Sequence, residues 1–480
     1  MRAYSPSHAT LRTSFIIACL SLLLMGSSYN LFAQTLTIQA GSLAPDLQCP
    51  ISQPPARPKT TPPPLEELYE IPDDALLREL IKTLPPSAAQ TQNALNLFSK
   101  LPKTRPLNIG LWGDSHAAAN FFAEELIKSV NVSKDKVLPL FIPPTLARGG
   151  VRLPLRKQCQ GQGWKYDLAY VGSQEGVKFS RGMTRLNSTI NNSYQWIDFR
   201  TQGQQPNLRG VDILYAASAM PTTLGITIDQ LPEQLVDLKL NERGAIQIQA
   251  QGGLFSTLKL RLVTGSVSLE GFVPAYAEAA RLYFDTLAIP GATMRSWKLI
   301  DPEYFKALGN QTPYDVVLLQ YGTNEGNQKP FDPIRYENDL TASLQNLRRI
   351  YPNAVCVLLG PTDRGTLIAR SSQSQPRAST QTNQAQGTST APMIVKELLA
   401  YSRIHEQISR IQQTVSSKHG CGFWDWQRAM GGPGGAYAWL KHQPTLMARD
   451  LIHLTVAGYQ ESARRFSQEM RLEDAFKSPR

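Results

Sequence analysis

The chain has 480 residues, 42% of them hydrophobic and 18% charged, with a formal net charge of +11. That length exceeds what one hydrophobic core usually serves and predicts two or three domains, and the composition excludes an intrinsically disordered protein. The basic excess is scattered rather than gathered in runs and no nucleic-acid motif accompanies it, which excludes nucleic acid as a partner; the charge suits solubility and a peripheral contact with an anionic cell wall or membrane surface.

At the N-terminus Arg2 and Arg12 precede an apolar run over 15–25, then small and polar residues, then Leu31-Phe32-Ala33-Gln34. The run is too short to span a bilayer comfortably. Its order of basic, apolar and small residues is that of a secretory signal peptide over 1–33, cut after Ala33. An uncleaved anchor is the alternative, and both put the remaining chain outside the cytoplasm, periplasmic or secreted. Beyond Cys19 four cysteines remain, in a compartment that permits disulfides. Cys49 with Cys159 is one possible bridge, and four cysteines allow three connectivities. Cys356, inside the apolar run 354–359, reads as a buried free thiol. No Cys-x-x-Cys or histidine cluster indicates a metal, and no cofactor is expected.

Residues 34–66, rich in Pro, Thr and Gln, read as a linker. Helical periodicity over 66–84, broken by Pro72, and a second helix over 91–101 predict an N-terminal helical arm across 67–103. An α/β portion begins at 104–165, where a strand at 107–112 runs through Gly113-Asp114-Ser115-His116 into a helix over 117–130. Residues 166–280 alternate with period two: Val236, Leu238 and Leu240, then Ile246 and Ile248, then Leu258, Leu260 and Leu262 with Lys259 and Arg261 opposite. This predicts an inserted antiparallel β-sandwich whose two ends lie close in space. Tyr194 and Trp196 within it could stack on sugars or pack in the sandwich core. The α/β pattern resumes over 281–480, with buried strands at 282–289, 315–321, 354–360 and 422–426 and helices over 334–350 and 394–415. Short buried strands alternating with helices indicate a parallel sheet. Residues 365–392, rich in Ser, Thr, Gln and Arg, read as a solvated loop and a possible lid.

Four segments could carry chemistry. A serine at the strand-to-helix turn Gly113-Asp114-Ser115-His116 would expose its hydroxyl beside the free N–H groups of the next helix, where an oxyanion is stabilised. The same residues could simply cap that helix. A serine nucleophile needs a base, and a histidine base needs a carboxylate to fix its tautomer. Asp450 and His453, three residues apart, could project both groups from one turn. Asn324, in Gly322-Thr323-Asn324-Glu325 after the strand 315–321, could offer its side-chain amide to an oxyanion. Gly291, in the turn Ile289-Pro290-Gly291-Ala292, could add a backbone N–H.

In their order along the chain these segments resemble the SGNH (GDSL-like) hydrolase family. The resemblance covers about 104–165 and 281–480. It implies a three-layer α/β/α domain with a parallel sheet, interrupted here by the sandwich. Carried onto this sequence, it makes Ser115 the nucleophile, His453 the base and Asp450 its orienting carboxylate, with Ser115 N–H, Gly291 N–H and Asn324 forming the oxyanion hole. His116 and Glu325 stand where many family members have Leu and Asp. The tail Phe423-Trp424-Asp425-Trp426, Ala429-Met430-Gly431-Gly432 and Trp439 resembles periplasmic peptidoglycan O-acetylesterases, which also carry a β-sandwich, similar to a carbohydrate-binding module, after the nucleophile. The expectation is a serine esterase that removes O-acyl groups, foremost O-acetyl, from peptidoglycan or another exported polysaccharide. An O-acetyltransferase using the same triad and a non-catalytic glycan-binding protein are the alternatives.

Overall fold

A computed structural model describes residues 32–40, 49, 64–73, 75, 97–98, 101–172, 174–200, 207–307, 313–328, 330–369 and 395–476. Nearly all of the expected signal segment, and most of the linker, the helical arm and the loop 365–392, lie outside these residues. In chain order the strands are β1 (Phe32–Gln39), β2 (Leu107–Gly113), β3 (Val137–Leu138), β4 (Lys157–Gln160), β5 (Lys165–Leu168), β6 (Thr184–Ser188), β7 (Tyr194–Asp198), β8 (Leu208–Tyr215), β9 (Thr222–Ile228), β10 (Gln234–Leu238), β11 (Gly244–Gln251), β12 (Thr257–Thr264), β13 (Val267–Tyr276), β14 (Leu282–Thr286), β15 (Val316–Gln320), β16 (Val355–Leu359) and β17 (Gly422–Trp424).

Six strands form one parallel sheet in the order β17-β16-β15-β2-β14-β3. Alternate residues enter two cores, which explains why these strands read as continuous apolar runs. Ile109, Leu111, Val316, Leu318, Val357 and Leu359 join Phe122 and Leu126 of the helix Phe121–Ser129 and Ala463 and Phe466 of the helix Val456–Glu469. Trp112, Val317, Leu319 and Leu358 join Leu340, Leu344 and Leu347 of the helix Pro333–Ile350 and Ile408 and Val415 of the helix Ala400–Lys418. The result is the expected helix–sheet–helix stack. The helix expected over 117–130 is broken in two, Ser115–Ala118 and Phe121–Ser129. Between them Asn120 adopts φ 63° and accepts a hydrogen bond from Thr286 Oγ (2.8 Å); Asn tolerates that left-handed conformation better than most residues.

Two sheets, β1-β11-β8-β13-β6-β5 and β10-β9-β12-β7-β4, enclose a separate core that includes Leu186, Ile197, Ile213, Ile226, Ile246, Leu260 and Phe272. This is the expected sandwich, with two differences. It begins at Lys157 rather than 166. It also recruits β1, which pairs in parallel with β11 from Phe32↔Gly244 to Gln39↔Gln251. Part of the expected linker is therefore an edge strand: Ile38 is buried while Thr35, Thr37 and Gln39 are exposed, a short period-two pattern hidden beside a Pro-rich stretch. Tyr194 and Trp196 do not enter the core. Both lie half-buried on the opposite face of β7 from Ile197, with the Lys259 ammonium 5.5 Å from each ring.

Cys49 is bonded to Cys159, and Cys356 to Cys421. The second bridge corrects the expectation of a free thiol at Cys356. Cys421 directly precedes β17, the neighbour of β16 in the sheet, so 65 residues of sequence separate two residues whose Cα atoms are 4.7 Å apart. The sandwich is fastened to the α/β domain through Glu270 on β13. Its fully buried carboxylate accepts from Arg185 Nε (2.9 Å), Arg243 Nε (3.0 Å) and Tyr304 Oη (2.8 Å), so the buried charge is paired on several sides.

Candidate active site

From β2 the chain passes to the sheet edge at β3, returns to β14 on one side of β2, and then crosses to β15 and β16 on the other. Winding therefore reverses at β2, and a crevice opens at the carboxyl ends of the strands beside such a reversal. Asp114 and Ser115 follow β2 there.

The cap of the short helix is Asp114, not Ser115. Asp114 Oδ1 accepts from His116 N–H (2.9 Å), which leaves the Ser115 hydroxyl free. Ser115 Oγ lies 2.9 Å from His453 Nε2. Gly113 is required by close approach: a Cβ there would lie 2.8 Å from Gln320 O. Burial pushes the Asp114 carboxyl up to about 7, against the backbone hydrogen bond from His116.

Asp450 and His453 lie in a turn held by Ala448 N–H to His453 O (2.8 Å). Asp450 Oδ1 accepts from the N–H groups of Ile452 (3.0 Å) and His453 (2.9 Å), and Oδ2 lies 2.7 Å from His453 Nδ1. The carboxylate thus fixes both backbone and ring. Partial burial would raise the Asp450 carboxyl, but these hydrogen bonds hold it down at about 2. The same ring hydrogen bond raises His453 above its ordinary value, against desolvation. The side chains keep 41% and 46% of their exposure, His453 and Asp450 respectively, so the pair stays accessible to a large substrate.

Asn324 and Gly291 lie on neighbouring turns after β15 and β14. Gly291 has φ +89°, and a Cβ would meet Tyr170 Oη at 2.9 Å. Ile289 N–H donates to Gly113 O (2.9 Å), tying that turn to the nucleophile strand. Asn324 Nδ2 donates to Ala292 O (2.9 Å), which uses one of its two N–H groups. Glu325 adds a second tie. Its buried carboxylate accepts from Met294 N–H (2.8 Å) and Gly322 N–H (3.0 Å), and burial pushes it up to about 7. All five residues expected from the sequence therefore stand at one end of the sheet. Three form a single hydrogen-bonded chain and two sit on turns bound to each other.

The roles of several contributors carried no readable signal. The buried ring of His116 lies between Thr362 Oγ (3.2 Å from Nε2) and Tyr459 Oη (3.2 Å from Nδ1), and burial beside His453 holds it well below its ordinary value. His405 donates from Nδ1 to Thr362 O (2.7 Å). Asp363, after β16, accepts from Gln427 Nε2 (2.8 Å), Gly434 N–H (3.1 Å) and Ala436 N–H (2.8 Å). It thereby organises the turn that contains the Met430-Gly431-Gly432 motif. A cavity of about 750 Å³ lined by Arg105, Tyr314, Tyr351 and Val355 lies at the other end of the sheet and takes no part in this arrangement. Among the described residues no cluster could hold a metal ion.

A serine, histidine and aspartate hydrogen-bonded in series can carry out acyl transfer. Residues 263–461 match the GDSL-like Lipase/Acylhydrolase family. Residues 263–461 are thus similar to an SGNH (GDSL-like) hydrolase domain. The matched segment contains Gly291, Asn324, Asp450 and His453 but not Ser115, because the sandwich divides the SGNH domain between nucleophile and base. A solved peptidoglycan O-acetylesterase is similar at 17% identity with a TM-score of 0.55, over 81% of this chain and 96% of that one. A family 2 carbohydrate esterase with a carbohydrate-binding domain from Corynascus thermopiles (Myceliophthora fergusii) is 12% identical over 65% of this chain and 99% of that one, with a TM-score of 0.25. A salicylyl-acyltransferase from a tetracycline biosynthetic pathway is 14% identical over 68% and 96%, with a TM-score of 0.28. No curated protein matches the sequence.

Proposed function

We propose that this protein is an exported SGNH-type serine esterase that removes O-acyl groups, foremost O-acetyl, from a cell-wall or exported polysaccharide, with peptidoglycan the first candidate. The observation that carries the mechanism is the series Ser115 Oγ–His453 Nε2 (2.9 Å) and His453 Nδ1–Asp450 Oδ2 (2.7 Å). His453 takes the Ser115 proton as Oγ attacks the acyl carbonyl. Asp450 steadies the imidazolium, and the N–H groups of Ser115 and Gly291 with the second N–H of Asn324 receive the oxyanion. Collapse expels the sugar hydroxyl, which takes the proton from His453. Water then attacks the acyl-serine through the same base and releases the acid.

The glycan assignment is supported by the resemblance of the tail, by the sandwich placed after the nucleophile and by the likeness of the fold, over 81% of this chain, to the peptidoglycan O-acetylesterase structure. Export is supported by the basic–apolar–small order of residues 1–33 and by two disulfides, which persist in oxidising compartments.

The test measures p-nitrophenyl acetate turnover, and acetate release from O-acetylated peptidoglycan beside O-acetylated xylan, for the protein and for Ser115→Ala. The expected result is turnover that is lost in Ser115→Ala, with release preferring peptidoglycan. Equal rates for protein and variant would sink the mechanism. Acetylated glycan formed from a donor and an acceptor, in place of free acetate, would make the enzyme a transferase.

A further inference from the structure

Two guanidinium groups flank the candidate site, and among the described residues neither is hydrogen-bonded to a carboxylate. Arg148 lies on the Gly291 side. Its Nη2 is 3.4 Å from Pro290 O and 3.5 Å from Tyr170 Oη, its guanidinium sits 5.4 Å from the Tyr166 ring centre, and its Nε is buried with no partner among the described residues. Contacts of 3.4–3.5 Å are at the weak limit of hydrogen bonding. The segment that carries it is fixed to the nucleophile helix by Arg152 N–H to Ala118 O (2.9 Å). Tyr170 Oη, in turn, donates to Pro290 O (3.1 Å).

Arg364 lies on the His453 side. It follows Asp363 and precedes Gly365, whose N–H donates to Leu451 O (3.0 Å) inside the Asp450–His453 turn. Its guanidinium stacks 3.8 Å from the Tyr401 ring centre, Nη1 donates to Asn327 Oδ1, and Nε is buried with no partner among the described residues. Asn327 stands three residues after Asn324, so Arg364 bridges the Asn324 and His453 turns. The nearby carboxylates are committed elsewhere: Asp450 to His453 and Ile452, Glu325 to Met294 and Gly322. Both arginines are partly exposed.

A guanidinium fork is shaped for a planar carboxylate. Aromatic faces and neutral oxygens, with no directly bonded carboxylate among the described residues, hold these two in place. We infer that Arg148 and Arg364 form a substrate-recognition pair for a carboxylate carried close to the scissile acyl group. The ligand is therefore an anionic glycan, its carboxylate supplied by attached peptide or by an acidic sugar. This rests on the esterase reading of the same site and adds the charge of its substrate.

The experiment compares the protein with Arg148→Gln, Arg148→Lys and Arg364→Gln. Five esters are used: soluble O-acetylated peptidoglycan fragments, an O-acetylated uronic-acid polysaccharide, each of these two after amidation of its carboxyl groups, and p-nitrophenyl acetate. Each Arg→Gln change should raise KM about tenfold on at least one anionic polymer, as loss of a charged hydrogen-bonding partner does, and leave kcat nearly unchanged. Arg148→Lys should recover part of the loss. Amidation should raise the KM of the parent protein by a similar factor and abolish its advantage over the variants. Turnover of p-nitrophenyl acetate should not change. The anionic polymer that responds identifies the source of the carboxylate. Unchanged KM in both Gln variants, or in the parent after amidation, overturns the inference. So does an equal loss on p-nitrophenyl acetate, which would make the arginines props for the turns. If no ester is turned over, the esterase reading fails instead, and calorimetric binding of native against amidated polymers to Ser115→Ala still decides the recognition pair.

Discussion

The imidazole of His116 lies behind that of His453, with ring centres 5.4 Å apart. Burial and the charge of His453 both favour the neutral form of His116. The positive charge that develops on His453 during attack therefore meets no second cation. His116→Leu removes a buried partner from both Thr362 Oγ and Tyr459 Oη. It should cost roughly 2–4 kcal/mol of stability, read as a lower urea midpoint at unchanged slope. A midpoint within error of the parent would mean that these hydrogen bonds are dispensable.

The acidic limb of kcat/KM should report His453. Protonated imidazole cannot accept the serine proton, so the rate rises with pH through the His453 pKa. Asp450 favours the imidazolium and puts that midpoint above 6.5. Asp450→Asn removes the charge and leaves a poorer tautomer partner. Its kcat should fall by about 10⁴ and its midpoint should move to lower pH. A profile that keeps its midpoint in the variant would assign the limb to another group.

Glu325 joins the two turns that carry Asn324 and Gly291 without itself facing the acyl group. Glu325→Gln replaces one accepting oxygen by a donor that confronts a backbone N–H. We expect kcat to fall by about tenfold, less than the about 10²–10³ known for outright loss of an oxyanion donor, with KM little changed. Ester binding weakened in step with kcat would instead indicate a collapsed site.

Cys421→Ser should destabilise the protein by about 2–5 kcal/mol, and reductant should reproduce the effect in the parent. The measurement is denaturant unfolding with and without reductant, beside a thiol count on the native protein. A freely reactive Cys356 in the native protein would contradict the bridge.

The α/β layers were legible because their strands are buried on both faces and therefore read as apolar runs, as at 316–320 and 355–359. Ser115, Asp450 and His453 were legible because short-range geometry suffices: a serine at a strand-to-helix turn, and a carboxylate three residues before a histidine. What escaped depends on packing between distant segments. β1 joins a partner more than 200 residues away, and its six to eight residues of alternation are too few to stand out beside prolines. Cys421 meets Cys356 only because β17 lies next to β16. The ties made by Glu325, Asp363 and His405 join turns that share no sequence pattern, so only their three-dimensional meeting reveals them.

The hydrogen bond between Ser115 and His453 spans 338 positions of chain. A chain that emerges from its N-terminus presents the serine long before the histidine exists to activate it. The sandwich must first fold and bring its ends together, and the last strands of the sheet must add to the edge. Contacts so distant along the chain form late, because closing long loops costs entropy before any contact is gained. The serine is thus unarmed until the turn carrying Asp450 and His453 is in place, and a cut before Asp450 should leave a folded sandwich and an idle serine.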